Sequence, residues 1–217
     1  QDAGSPSKTS FMPFIEFGRG ASGGATTASS AGGSGKNSGG GGSGKSGESA
    51  AEFTCKTTAA FSGGSFAGVL TEEQTFALNI LRSDVRLAVV NTEFDGKDYT
   101  VGLKNNSGSA DITVEDGVPV LKLKYRALAN VQSSESRPAA EGSANSHLVA
   151  DGVLKAVADT IEQRMDSLVD FCTQNGCDLV GAERMLCQRH YDDYLSLSGR
   201  VLDSMRVEYD INIESVR

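Results

Sequence analysis

The sequence predicts an α+β domain, in which an antiparallel β-sheet of about five to six strands has a long helix and shorter helices packed on one face. Short segments with two-residue apolar alternation, separated by Gly-containing turns, fill the middle of the chain. A long apolar stripe with three- and four-residue spacing follows, and another alternating segment closes the chain. Because each element has one apolar face, all of them are expected to share a core.

The chain of 217 residues divides by composition into three parts. Residues 1–17 form a lead-in segment, and residues 18–52 are dominated by Gly, Ser and Ala without any large apolar side chain. Such a segment cannot bury a core, so we predict a flexible linker or loop there. Residues 53–217 are long enough for one α+β domain. Since the first residue is Gln1, we expect a fragment or a processed form of a longer protein.

The first ordered elements are expected to be strands. Residues 11–17 combine large apolar side chains with a proline, which is typical of an edge strand or an extended lead-in. Residues 53–61 and 66–70 flank the pair Gly63-Gly64, and this arrangement predicts a hairpin.

A capping box predicts where the first helix begins. Thr71 precedes Gln74 by three residues, so the Thr hydroxyl can accept from the Gln74 amide while the Gln side chain reaches back to Thr71. Phe76 and Ile80 then lie on one face of a helix that ends near Arg82.

Four strands are expected after this helix, at residues 86–91, 99–104, 110–115 and 118–128. Their turns suit backbone at positive φ and are Asp95-Gly96, Asn105-Asn106-Ser107-Gly108 and Asp116-Gly117. The fourth strand has an apolar face with Leu121, Leu123 and Tyr125. Its other face carries Val118, Val120, Lys122, Lys124 and Arg126. We interpret the basic face as a solvated sheet face, with an anionic partner as the alternative.

The strongest helical signal lies between residues 150 and 172. Apolar residues recur there on one stripe, formed by Ala150, Leu154, Val157, Ile161, Met165, Leu168 and Cys172. Asn175-Gly176 is expected to end this helix. A second helix is predicted at about residues 179–194. The strict alternation of residues 205–213 predicts a closing strand that joins the sheet.

Charge and hydropathy exclude two classes of function. The net charge is −8 and no cluster of Lys and Arg occurs, so we predict no nucleic-acid partner. The longest uninterrupted apolar run, residues 87–90, is far shorter than the roughly 20 residues that a membrane-spanning helix needs.

Four residues have the side chains of a metal site, namely Cys172, Cys177, Cys187 and His190. Thiolates and an imidazole suit zinc, and the three-residue step from Cys187 to His190 places both on one face of a helix. The spacing differs, however, from the two-residue knuckles of structural zinc sites. Buried structural thiols are the preferred interpretation, and a Cys172–Cys177 disulfide or a metal site are the alternatives.

No arrangement typical of catalysis occurs in the sequence. An acid–base site would need His147 or His190 beside a carboxylate, and Asp192 or Asp193 could supply one to His190. Neighbours in sequence point to different sides of a helix, so we interpret this cluster as a solvated helix end. The Gly-Lys pairs within residues 18–52 lack the preceding strand of a phosphate-binding loop. We therefore predict no enzyme activity and no catalytic, cofactor-binding or metal-binding residue.

Several short segments, taken in order, resemble one protein family. They are Met12 to Ile15, Phe61 to Thr75 with its Gly68-Val69-Leu70-Thr71, Val118 to Tyr125, Cys177 to Glu183 with its Asp178-Leu179-Val180-Gly181, and Val207 to Ile213. This order is similar to that of the C-terminal domain of Ger(x)C-type spore germination lipoproteins. The chain departs from the family pattern at Ala182-Glu183, where a further glycine is usual, and it contains no Trp.

The resemblance implies a non-enzymatic C subunit of a nutrient germinant receptor, which assembles with integral-membrane A and B subunits. It also implies attachment to the outer face of the spore inner membrane through an N-terminal lipid anchor that lies outside this chain. Cys55 falls within a predicted strand and is not that anchor. The alternative is a small metal-stabilised or ligand-binding extracytoplasmic domain.

Overall fold

The structure is a computed structural model, and it describes residues 6, 8–18, 52–134, 149–197 and 199–216. Contacts divide the chain into two compact units, one formed by Gln1–Phe14 with Lys56–Arg217 and the other by Ile15–Cys55. The Gly/Ser linker expected at residues 18–52 lies almost entirely outside the described residues. That expectation, like the three-part division of the chain, stays a prediction.

The described ranges alternate between strands and helices and confirm the α+β class. In chain order they contain β1 (Thr9–Gly18), β2 (Glu52–Ser62), β3 (Ser65–Leu70), α1 (Glu72–Leu81), β4 (Leu87–Phe94), β5 (Lys97–Glu115), β6 (Val118–Ser134), α2 (Asp151–Asn175), α3 (Ala182–Arg189), α4 (Tyr191–Leu197), α5 (Val201–Ser204) and β7 (Arg206–Ser215).

The strands form two sheets, of three strands in the order β1-β2-β3 and of four strands in the order β4-β5-β6-β7. The hairpin predicted around Gly63-Gly64 is present, since β2 and β3 pair antiparallel on either side of it. The closing strand β7 joins the larger sheet as expected, but it runs parallel to β6, with Leu121 opposite Val207. A parallel pair needs a long crossover, and the segment containing α2 to α5 supplies one.

The predicted turn at residues 105–108 is wrong, because β5 continues through it as one strand. Asn105 has a φ of 53°, and the pairing register between β5 and β6 shifts between Lys104 and Ser107. The result is a β-bulge, which disturbs the ladder without ending the strand. Asn106 lies in the bulge, and its side-chain oxygen accepts a hydrogen bond from the hydroxyl of the fully buried Tyr125. The bulge therefore satisfies a polar group that would otherwise be buried alone.

Beyond the bulge, the edge of β5 is closed by the end of α1. The Ser83 hydroxyl donates to the Gly108 carbonyl at 3.0 Å and accepts from the Gly108 amide at 3.1 Å. The backbone of α1 lies directly above this point, because a Cβ atom on Gly108 would approach the Ile80 carbonyl oxygen to 2.0 Å. The close approach explains why glycine occupies this position.

The capping box of α1 is confirmed and also joins two helices. The Thr71 hydroxyl accepts from the Gln74 amide, and the Gln74 side chain accepts from the Thr71 amide. The nitrogen of the same Gln74 side chain donates to the carbonyl oxygen of Ser167 on α2 at 3.1 Å. Gln74 thus completes the capping box at the start of α1 and also joins α1 to α2.

The predicted long helix is α2, and Gly176 ends it in the left-handed conformation with φ 55°. The prediction of a single helix at residues 179–194 is wrong, because two helices occupy this segment. It is divided into α3 and α4 at His190, whose φ of −138° and ψ of 61° are not helical. The short helix α5 was not predicted.

The core lies between α2, α1 and the larger sheet. The α2 residues with no solvent exposure are Val157, Ile161, Met165, Leu168 and Cys172, and the inward side of β6 adds Leu121, Leu123 and Tyr125. The apolar face predicted for α2 is buried from Val157 to Cys172, but at its start Val153 is buried while Ala150 is exposed and Leu154 is half-buried. The apolar face predicted for β6 is buried, and Val120, which was assigned to the opposite face, is fully buried as well. No helix in the described ranges has the length and apolarity that crossing a bilayer requires.

Replacing Gly108 by Ala is expected to destabilise the protein by about 1–3 kcal/mol, because the new Cβ would push the end of α1 off the β5 edge. Urea denaturation followed by circular dichroism measures the change. The control is Ser109→Ala at the exposed neighbouring position. Equal stability of the two variants would contradict the close packing of α1 on β5.

Candidate functional site

The turn that follows α2 is held against the small sheet by two side-chain hydrogen bonds. The Ser62 hydroxyl at the end of β2 donates to the Gly176 carbonyl at 3.0 Å. The Thr9 hydroxyl at the start of β1 donates to the Asp178 carbonyl at 2.8 Å. These bonds satisfy backbone carbonyl groups of the turn itself and hold it to the sheet.

Asp178 then caps α3 from inside the protein. Its carboxylate oxygens accept from the backbone amides of Ala182 at 2.7 Å and Glu183 at 2.9 Å, while Gly181 takes a left-handed φ of 81°. Asp178 is only 3% exposed. Burial raises the pKa of its carboxyl, and the neighbouring Glu183 charge adds to the shift against the opposing effect of the amide bonds.

A cleft of about 650 Å³ opens beside this turn. Its walls come from the start of β1, the end of α1, the middle of β5 and the residues that join α2 to α3. The apolar lining residues are Phe11, Leu78, Leu81, Ala110, Leu179, Val180 and Met185. A concave site of this size with mainly apolar walls is typical of small-molecule binding.

Three cationic side chains, Lys8, Arg82 and Arg184, also line the cleft, and Asp178 is the only carboxylate among the described residues that line it. The Arg82 guanidinium lies 4.7 Å from the centre of the Phe11 ring, which fixes its position by cation–π contact. The cleft is therefore positively charged, although the whole chain has a net charge of −8.

In the part of the chain that the structure describes, no His, Cys, Ser or Tyr lines the cleft. The Thr9 hydroxyl is already engaged with the Asp178 carbonyl, and both Asp178 oxygens accept backbone bonds. Nucleophilic or acid–base chemistry needs a free side chain with a positioned partner. The arrangement in the cleft is suited to binding.

The structure places the cysteines considered for a metal site in separate roles. Cys172 and Cys177 are buried, Cys187 is half-buried, and all three are free thiols, so the alternative of a Cys172–Cys177 disulfide is not realised. The fourth candidate, His190, has its Nδ1 atom 4.0 Å from an Asp193 oxygen at the surface. Within the described ranges no group of three or more His, Cys, Asp or Glu side chains is placed to hold a metal ion.

Burial of the two thiols also makes them unreactive. It raises the pKa of Cys172 to about 12 and that of Cys177 to about 11, in both cases mainly by desolvation. The thiolate is the reactive form of cysteine, so both side chains stay protonated at neutral pH. The other histidine of the sequence, His147, lies outside the described residues.

The basic face of β6 is partly neutralised by neighbouring strands. Lys122 lies 3.0 Å from a Glu115 oxygen and 3.7 Å from a Glu208 oxygen. Lys124 is opposite Asp210 in the register with β7. These contacts support the interpretation of a solvated sheet face.

Sequence reasoning missed the cleft, since its three cations come from segments that are distant in the chain. The Asp178-to-Gly181 segment was noticed only as a family resemblance. A more direct signal was present, because an Asp side chain just before a helix can accept from the free backbone amides of its first turn.

Asp178 gives a prediction that depends on pH. Since folding raises the pKa of this carboxyl above the unfolded value of 3.8, the unfolded state ionises first as the pH rises, and wild-type stability decreases over that range. Asn keeps one of the two acceptor oxygens and carries no charge. The stability of Asp178→Asn relative to the wild type should therefore increase as the pH rises from acidic towards neutral.

Urea denaturation of both proteins across this pH range tests the prediction. Asp178→Ala is the matched comparison and should lose about 1 kcal/mol at acidic pH, because it removes the cap altogether, and less towards neutral pH, where the wild type is itself destabilised. A loss of stability in Asp178→Asn that grows with pH would show that the carboxylate stabilises the fold.

Thiol alkylation tests the protonated state of the buried cysteines. Iodoacetamide at mildly alkaline pH is expected to leave Cys172 and Cys177 unmodified in the folded protein and to modify both in denaturant. Peptide mass spectrometry reports each site separately. Rapid labelling of either thiol in the folded protein would contradict the burial of that side chain.

Comparison with known proteins agrees with this architecture. Residues 56–215 match the family described as "Spore germination B3/ GerAC like, C-terminal". Among solved structures, the crystal structure of the GerBC protein is similar, with a TM-score of 0.63 at 13% sequence identity. The similarity covers 76% of this chain and 53% of that chain, so this chain spans about half the length of GerBC.

At this identity the likeness to GerBC shows a common fold. No curated protein matches the chain. The family match, in contrast, covers most of the chain and includes every described element from α1 to β7 together with the cleft residues Asp178 and Arg184. The chain therefore belongs to the GerAC-like, C-terminal family of spore germination proteins, as the resemblance of its sequence motifs implied.

Proposed function

We propose that the chain is the C-terminal part of the C subunit of a nutrient germinant receptor and acts without catalysis in nutrient-triggered spore germination. The observation that carries this proposal is the family match over residues 56–215. The fold shared with GerBC supports it. In this function the domain supplies contact surfaces through which the subunit assembles with the integral-membrane A and B subunits.

Exposed apolar side chains on β4 are suited to such a contact. Leu87 is 70% exposed and Val89 is 52% exposed, and both lie on the same side of an edge strand of the larger sheet. On the smaller sheet, Phe66 is 61% exposed and packs edge-to-face against Phe61. Exposed apolar groups at a sheet edge favour association with another protein.

The chemistry of the described residues supports a non-enzymatic function. The two buried thiols are protonated, and the cleft is lined without a nucleophile or a free acid–base pair. The resemblance to Ger(x)C lipoproteins further supports attachment to the outer face of the spore inner membrane through a lipid anchor in an upstream part of the protein. The subunit would then present this domain beside its membrane partners.

The assembly proposal predicts that Leu87→Thr/Val89→Thr, made in the full-length protein, reduces recovery of the A and B subunits from spore membranes. Loss of exposed apolar area weakens the contact, while threonine keeps the strand conformation. Affinity purification with quantitative mass spectrometry measures the recovery.

The matched control is Asn91→Thr/Glu93→Thr, which changes polar exposed positions on the same side of β4. It should leave recovery unchanged, and thermal unfolding should show that both double variants are folded. Equal recovery of the A and B subunits with both double variants would exclude the β4 edge as the contact. Recovery of neither subunit with the wild-type protein would overturn the assembly proposal itself.

The cleft favours a second candidate, a ligand-binding extracytoplasmic domain. Its volume of about 650 Å³ and its mixed apolar and cationic lining support this version. The metal-stabilised version depends on Cys172, Cys177, Cys187 and His190. Elemental analysis of protein purified under reducing conditions and without chelators tests the metal-stabilised version. This version requires one bound metal ion per chain, and its absence would exclude it.

A further inference from the structure

The cleft beside the turn after α2 combines apolar walls with cations that have free hydrogen-bonding capacity. Within the described residues, neither Lys8 nor Arg184 takes part in an ion pair. Arg82 uses its Nε atom on Asp84 at 3.3 Å and leaves the two terminal nitrogens of the guanidinium without a hydrogen bond in the same part of the chain. A guanidinium with unused donors is suited to a carboxylate or another oxyanion.

The acidic residue in the cleft does not neutralise these cations. Asp178 is buried, and both of its oxygens point to the start of α3, where they accept from Ala182 and Glu183. Its carboxylate is therefore engaged by backbone donors, and within the described residues it forms no ion pair with the cationic side chains of the cleft. The potential inside the cleft is set by the cations, and low-dielectric walls strengthen such a field.

The walls define the rest of the ligand. Apolar lining comes from Phe11 on β1, from Leu78 and Leu81 on α1, and from Leu179 and Met185 around the start of α3. A fully hydrated ion such as acetate gains nothing from these surfaces, whereas an apolar body of aromatic or short aliphatic size would be removed from water. The Arg82 guanidinium stacked on Phe11 brings a charge and an apolar ring together at one point.

We propose that this cleft binds a small organic carboxylate with an apolar body, whose carboxylate pairs with Arg184 and Arg82 while the body lies between Phe11, Leu179 and Met185. The inference rests on the ligand-binding candidate and is independent of receptor assembly. Arg184 lies in the first turn of α3, which Asp178 caps, so the geometry of the capped turn positions the charged end of the site.

Titration of the full 217-residue chain with matched probes tests the proposal. The probes are phenylpropionate, phenylpropanol and phenylpropylamine, which share one apolar body and differ in the charge of the head group. Amide chemical shifts from NMR report both the affinity and the position of binding. Phenylpropionate should shift the amides of residues 178–185 and bind about tenfold more tightly than phenylpropanol, while phenylpropylamine should not bind.

Substitutions identify the group that selects the anion. Arg184→Gln should weaken phenylpropionate binding about tenfold and leave phenylpropanol binding unchanged. Arg126→Gln, which makes the same charge change at an exposed position on β6, is the control and should have no effect. Acetate and inorganic phosphate are anions without a large apolar body. They should bind more weakly than phenylpropionate if the site recognises both the charge and the apolar body.

Each outcome decides the inference. Equal affinities for the carboxylate and the alcohol, or phenylpropionate binding that Arg184→Gln does not change, would leave a ligand site but overturn its anionic class. Acetate binding as tight as phenylpropionate would remove the apolar body from the proposal. Absence of binding for all probes would overturn both this inference and the ligand-binding candidate, while the assembly proposal would stand on its own test.

Discussion

The packing of α2 is the constraint on which the rest of the structure depends. Its stripe from Val157 to Cys172 has no solvent exposure, and it contacts α1, β4 and β7. Each large apolar side chain buried in this way contributes about 1.5–3 kcal/mol. Because α2 contacts both edge strands of the larger sheet, its position also fixes where the chain emerges at Gly176. The position of α2 therefore also determines where the turn at Asp178 lies, and this turn forms part of the wall of the cleft.

Polar contacts then set details that apolar packing leaves open. Gln74 joins the start of α1 to α2, and the Tyr209 hydroxyl donates to Asp166 on α2 at 2.9 Å. The Tyr125 hydroxyl at the centre of the sheet donates to Asn106 in the β5 bulge. A buried hydroxyl without a partner would cost about 1–3 kcal/mol, so the Tyr125 bond restricts the register of β5 against β6. The bonds of Gln74 and Tyr209 restrict the position of α2.

Local signals predicted those parts of the fold that local interactions determine. The capping box at Thr71, the Gly63-Gly64 turn and the α2 stripe each involve residues close in sequence, and all are present. The bulge at Asn105 has the composition of a turn, but β5 pairs with β6 on both sides of it, and the distant residues Tyr125 and Ser83 bond to Asn106 and Gly108 there. The division into two sheets and the parallel pairing of β7 likewise depend on contacts across long sequence distances, and so does the cleft.

The two proposed surfaces differ in chemistry and therefore act separately. The exposed side of β4 offers Leu87 and Val89, whereas the cleft offers Arg184 and Arg82 above apolar walls. A protein contact at the sheet edge is stabilised mainly by apolar area and depends little on salt, while anion binding in the cleft weakens as ionic strength rises. Because Asp178 holds the start of α3 through its own carboxylate, a ligand in the cleft would meet a turn that is already ordered. Binding there requires no refolding of the turn, so the cleft is preorganised for its ligand.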